Sequence, residues 1–213
     1  MAKEHRQVRL AGATLERSRH VCALFHTADE AYATLLPFIR EGLEQGERAF
    51  HIIDSAQRLG HLDRLAQAGI DAAGALQSGQ LEVRAWEDAY LRGRRFDQDA
   101  MLALIEEVLD GGKAQGFQLT RLVAQMEWAL QDLPGVDDLL QYEIRLNHLL
   151  PKYDDPLVCT YDLARFGGGL LIDILRTHPV VIIGGILQEN PFFVPPDEFL
   201  RELRQRARPL SVM

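Results

Sequence analysis

Residues 20–53 read HVCALFHTADEAYATLLPFIREGLEQGERAFHII. Positions 20–25 are a short apolar run of strand formers, stopped by the polar pair His26-Thr27. The spacing of Ala31, Leu35, Phe38, Ile39 and Leu43 then predicts a helix over 29–45. Thr27 is the expected N-cap, and Glu30 three residues on completes a capping-box pattern. Gly46 ends the helix, and Pro37 inside it predicts a kink. Positions 48–53 are a second strand, closed by Asp54-Ser55. A strand, a helix and a second strand in this space form a βαβ unit, which belongs to a parallel sheet.

The alternation continues outward. A helix is expected over 57–68 with Leu59, Leu62 and Leu65 on one side, closed by Gly69, with a further short helix over 71–77. Strands are predicted at 81–86, 119–126 and 157–161, with one or two more within 180–188 around Gly184-Gly185. A long helix starting at 97–98 carries Met101, Leu104, Ile105, Val108 and Leu109 and is expected to stop at Gly111-Gly112. Helices over 136–150 and 170–176 follow, and a last amphipathic one carries Phe199, Leu200 and Leu203. Runs such as LVCTY (157–161) and VVII (180–183) are continuously apolar, as in strands covered on both faces. The prediction is an α/β fold, one domain of three α-β-α layers with a mostly parallel central sheet. Residues 1–19 lack a period and are expected to be a basic arm, loose or with a short helix, ahead of a domain over 20–208.

The 213 residues carry a net charge of −8, unevenly distributed. Positions 1–20 hold +3, from Lys3, Arg6, Arg9, Arg17 and Arg19 against Glu4 and Glu16; positions 197–213 hold +1; the remainder holds −12. That balance argues against direct nucleic-acid binding. No stretch approaches the roughly 20 apolar residues of a membrane helix, and the start shows no apolar signal segment. Cys22 and Cys159 both lie in apolar runs, so buried thiols and a cytoplasmic setting are expected.

In open α/β sheets ligands bind beyond the carboxyl ends of the strands. The residues placed there are His26, Thr27, Asp54, Ser55, Trp86, Glu87, Glu127, Trp128, Tyr161 and Asp162, including both tryptophans of the chain. His26, Trp86 and Trp128 are expected to wall a small-molecule pocket, with Glu127, Tyr161 and Asp162 orienting the ligand. In a purely structural reading the acids are caps and the tryptophans plug the end of the sheet. The turn His26-Thr27-Ala28-Asp29-Glu30 has no glycine and two acids, which excludes a phosphate loop. Gly111-Gly112-Lys113-Ala114 ends a helix instead of opening one. No nucleophile elbow and no H-E-x-x-H pair occurs. Glu127, Glu143, Asp162 and His178 would supply a metal site if the fold brought them together. Their spacing does not require it, and a structural polar network is the preferred reading, with no cofactor expected.

The run His20–Phe25, Pro37-Phe38-Ile39, Glu41-Gly42-Leu43 and Gly46-Glu47 resembles the opening of the MEDS domain, the methanogen/methylotroph DcmR sensory domain. Further matches follow in order. They are Gly79-Gln80-Leu81, Phe96-Asp97, Arg121 with Glu127-Trp128, Tyr142-Glu143 with Leu146-Asn147, Cys159–Asp162, and His178-Pro179 with Gly184-Gly185 and Asn190. The resemblance covers about 20–193 and implies a RecA/KaiC-like fold without a P-loop. It also implies a sensory role with small ligands such as hydrocarbon derivatives. The resulting expectation is a non-catalytic cytoplasmic sensory module, signalling to a separate output protein such as a kinase or transcription regulator. The segment 92–96 or the last helix would move, and the apolar stretch 182–194 would support a homodimer. Two alternatives stand beside it. One is a diverged NTPase-like or metal-dependent hydrolase using Glu127 and Asp162, supported by Glu143 and His178. The other is an interaction scaffold working through 1–19 or 197–213.

Overall fold

The computed structural model describes residues 7–16 and 19–206. The arm residues Lys3, Glu4, Arg6 and Arg17 and the tail 207–213 lie outside the described residues. A seven-stranded sheet forms the middle layer, made of β3 (His20–Phe25), β4 (Arg48–Ile53), β5 (Leu81–Ala85), β6 (Thr120–Gln125), β7 (Leu157–Asp162), β8 (Val180–Ile183) and β9 (Ile186–Glu189). Their spatial order is β5-β4-β6-β7-β3-β8-β9. Every pairing is parallel except β8 with β9, an antiparallel hairpin through Gly184-Gly185, both at positive φ. The three-layer, mostly parallel architecture expected from the alternation is the one observed.

Successive strand residues face opposite layers. Val21, Ala23 and Phe25 of β3 pack with Leu35, Phe38 and Ile39 of α1 (Ala28–Glu44), above which lie α2 (Arg58–Gln67) and α3 (Ala72–Ser78). Cys22 and Leu24 face the other layer, with α4 (Gln98–Ala114), α5 (Leu139–Leu149) and α6 (Gly168–Thr177). A last helix, α7 (Pro196–Arg206), lies against α5 and α6.

Two expectations are corrected. Part of the arm is folded: β1 (Val8–Leu10) and β2 (Ala13–Leu15) form a hairpin on α1, with Val8, Leu10 and Leu15 buried in the α1-side core. The long helix runs through Gly111-Gly112 to Ala114, because Gly112 is a contact residue and not a stop. A Cβ there would fall 2.5 Å from Thr120 Oγ1, so only glycine lets β6 approach α4 this closely.

Candidate functional site

Chain direction across the sheet creates the crevice. From β3 the chain leaves through α1 toward β4, on the β7 side; from the adjacent β7 it leaves through α6 toward β8, on the opposite side and over the opposite face. Neighbouring strands whose connections part in this way open a cleft beyond their carboxyl ends. A cleft of about 130 Å³ lies there, with Phe25, Thr27, Gln125, Glu127, Asp162 and Arg165 among its walls.

Three of the six residues predicted for the site meet at this cleft. Glu127 Oε1 accepts the backbone N–H of Asp162 at 3.1 Å. Burial pushes the Glu127 carboxyl up, against the pull of backbone N–H donors and of Arg165. Asp162 Oδ1 takes the Ala164 N–H at 2.8 Å, turning the chain after β7. Tyr161 contributes to the wall, but its phenol points inward and donates to Glu143 Oε1 at 3.0 Å. The other three lie elsewhere. His26 is exposed. Trp86 is buried, its indole N–H donating to the Gln125 carbonyl at 3.1 Å, which ties the end of β5 to the end of β6. Trp128 is fully enclosed, stacked on Tyr90 at 4.4 Å and packed on Phe96 at 4.5 Å. The tryptophans close the α4–α5 side of the sheet and do not wall the cleft.

The start of α1 explains why this edge differs from a phosphate site. Thr27 Oγ1 accepts the Glu30 N–H at 3.2 Å, and Glu30 Oε2 accepts the His26 N–H at 2.8 Å. This is the expected capping box, with the carboxylate reaching one residue further back than the usual partner. The helix start is filled by its own side chains, and Asp29 and Glu30 place negative charge where a phosphate would need positive.

The three carboxylates and one imidazole considered together from sequence separate into two groups. Glu127 and Asp162 stay at the cleft, while Glu143 and His178 are buried between the sheet and α5, joined there by His20 and Cys159. Glu143 Oε2 is 3.1 Å from His20 Nε2, 3.3 Å from His178 Nε2 and 3.8 Å from Cys159 Sγ. Burial alone would raise the Glu143 carboxyl; with His178 and His20 protonated beside it, their charge and hydrogen bonds outweigh burial and hold it at about 2. Burial, then neighbouring His178, pushes His20 down. These four are the side chains among the described residues with the chemistry and proximity to hold a metal ion. Sequence reasoning missed His20 and Cys159. The available signal was parity: His20 and Cys22, like Cys159 and Tyr161, are alternate residues on adjacent strands. Glu143 and Asn147, four apart on α5, share the facing side of that helix.

The model of the MEDS family, "MEthanogen/methylotroph, DcmR Sensory domain", matches residues 19–179. The chain belongs to the MEDS family. It is 26% identical over 177 residues to the transcriptional repressor DcmR of Methylorubrum extorquens, covering 83% of this chain and 64% of that protein. The chain thus spans just under two thirds of the repressor's length. Among solved structures, the KaiC-like protein PH0186 of Pyrococcus horikoshii superposes with a TM-score of 0.56 at 20% identity, over 81% of this chain and 73% of that one. That likeness shows a KaiC-like fold. Membership in MEDS gives the chain a regulatory, sensory role. Among the described residues, no helix is long and apolar enough to cross a membrane.

Proposed function

We propose that this MEDS chain is a non-catalytic sensory module that takes a small molecule in the carboxyl-edge cleft and passes its occupancy to an output protein. The observation that carries the reading is Glu127. It is a partly desolvated carboxyl at the strand ends, anchored to the β7 terminus by the Asp162 amide. Gln57, Gln125 and Thr27 add polar wall, and Phe25, Ala28 and Ala31 add apolar wall. A water claims about 30 Å³ of liquid, so this cleft suits a molecule of a few heavy atoms. A raised carboxyl prefers a neutral or cationic hydrogen-bonding head over an anion. A short hydrocarbon derivative bearing a hydroxyl or amine fits that wall.

The output is proposed to be a separate regulator of transcription or a kinase. The similarity to a repressor supports a link to transcription, and the net charge of −8 speaks against this chain gripping DNA itself. Isothermal titration and thermal shift against short alcohols, amines and carboxylic acids test the reading. Saturable binding by an alcohol or amine, not by the acids, and loss of it in Glu127→Leu is the expected result. A folded protein that binds none of these classes would overturn it.

A further inference from the structure

The His20–Glu143–Cys159–His178 cluster has too many acceptors. His178 Nδ1 lies 2.9 Å from the Ile174 carbonyl and 2.7 Å from Thr177 Oγ1, whose own hydroxyl donates to that same carbonyl. A carbonyl only accepts, so Nδ1 carries the ring proton and Nε2 presents a lone pair. His20 is fixed in the same sense. Asn147 Nδ2 donates to the carbonyls of Glu143, Ile144 and Thr177, which leaves Oδ1 to accept from His20 Nδ1 at 3.1 Å. With both rings neutral, both Nε2 atoms face Glu143 Oε2 as acceptors facing an acceptor, and the only cation the chain itself can place between them is a proton. His178 Nε2 is fully buried and has no hydrogen-bond partner. The Cys159 thiol has one hydrogen to offer to this group.

Such an arrangement calls for a cation at its centre. We propose that His20, Glu143, Cys159 and His178 bind a divalent cation of the zinc class. Zinc takes imidazole, thiolate and carboxylate ligands tetrahedrally, which places ligand atoms ~3.3–3.7 Å apart. The separations here are 3.1, 3.3, 3.8 and 3.8 Å, and no pair of the four ligand atoms exceeds 4.8 Å. Both histidines donate their second ring nitrogen to a fixed oxygen, the outer support that orients metal-bound imidazoles. Binding would expel the Cys159 proton to solvent. One divalent ion, one thiolate, one carboxylate and two neutral imidazoles then leave no net charge in the core. A cavity of about 200 Å³ at the amino edge, lined by His20, Asn147, Pro179 and Phe193, adjoins the cluster on its His20 side. The inference stands apart from the cleft reading and holds or fails without it.

The test uses the whole chain, stripped with chelator and dialysed. One equivalent of zinc should bind and raise the Tm. Cobalt(II) in its place should show sulfur-to-metal charge transfer in the near ultraviolet together with tetrahedral visible bands. Cys159→Ser should abolish the charge-transfer band. Asn147→Leu, which removes only the support of His20, should weaken zinc binding about 10–100-fold. Folded stripped protein that takes up no stoichiometric zinc and shows no cobalt–thiolate band would overturn the proposal. Uptake unchanged by both Cys159→Ser and His178→Gln would do the same. If a variant fails to fold, the wild-type cobalt spectrum decides.

Discussion

On the α1 side of the sheet, Arg121 of β6 is buried with its answering charges. Its Nε donates to Glu47 at 2.6 Å, Nη1 donates to Glu41 at 3.0 Å and to the Phe38 carbonyl at 2.7 Å, and the guanidinium lies 4.8 Å from the Phe38 ring centre. On the α5 side, Glu143 is buried opposite imidazole nitrogens that offer it lone pairs. One face buries a cation with carboxylates supplied by the chain, although Nη2 keeps no partner. The other face buries a carboxylate whose neighbours are imidazoles, which carry charge only when protonated. Equal burial thus hides two different kinds of incompleteness, and they respond oppositely to the same chemical change.

The largest expected effect exploits that opposition. Arg121→Met strands Glu47 without its main counter-charge in the core and should cost about 3–5 kcal/mol in urea unfolding. Glu143→Gln, in chelator at pH 8, should cost nothing or should stabilise. Its amide keeps an oxygen for the Tyr161 hydroxyl and turns an NH₂ toward the imidazole lone pairs. Destabilisation by Glu143→Gln as large as that of Arg121→Met would erase the contrast between the faces.

A second effect is set by pH. The α1 side also buries a relay in which His51 Nδ1 meets His61 Nε2 at 2.9 Å and His61 Nδ1 meets the Tyr32 hydroxyl at 2.8 Å. Burial, with help from Arg58, lowers His61 from 6.5 to about 4. The unfolded chain takes up this proton near pH 6.5 and the folded chain does not. The contribution is therefore complete above pH 6.5 and is lost as pH falls toward 4, by about 3 kcal/mol. Urea titrations from pH 7.5 to 4, with His61→Gln beside wild type, should show this slope in the wild type and a flatter one in the variant.

The smallest effect tests how tightly the Arg121 site is built. A Cβ on Gly42 would stand 2.6 Å from both Cδ and Nε of Arg121. Those atoms are held by Glu47 and cannot swing away, so Gly42→Ala should cost about 1–3 kcal/mol. A neutral result would mean that the guanidinium has room to shift and that the pairing is looser than its distances suggest.

How much of this was legible in the sequence depends on how far each signal reaches. The strands His20–Phe25, Leu157–Asp162 and Val180–Ile183 were legible because their runs are almost continuously apolar, as in strands covered on both faces. The hairpin at 8–15 was not, because three-residue strands are too short to show a period. Gly112 looked like a helix end because its reason lies on β6, at Thr120, and not in its neighbours. Glu127 and Asp162 could be placed at the cleft because strand ends determine where backbones finish. Trp86 and Trp128 also follow strand ends, but a strand end does not say which way a side chain turns, and the short 3₁₀ turns carrying them rotate both indoles inward. Glu143 and His178 were recognised as candidate ligands but assigned the wrong companions. Their true neighbours, His20 and Cys159, come from strand register, which only the fold supplies.

Tyr161 and Asp162 are consecutive, and each tethers a different carboxylate. The Tyr161 hydroxyl holds Glu143 in the interior, and the Asp162 amide holds Glu127 at the sheet edge. That amide belongs to the peptide unit that begins at the Tyr161 α-carbon, a rigid plane with no soft torsion inside it. Only ψ of Tyr161 and the two torsions of its side chain separate the anchorages, so the interior carboxylate and the edge carboxylate are both held from a single α-carbon.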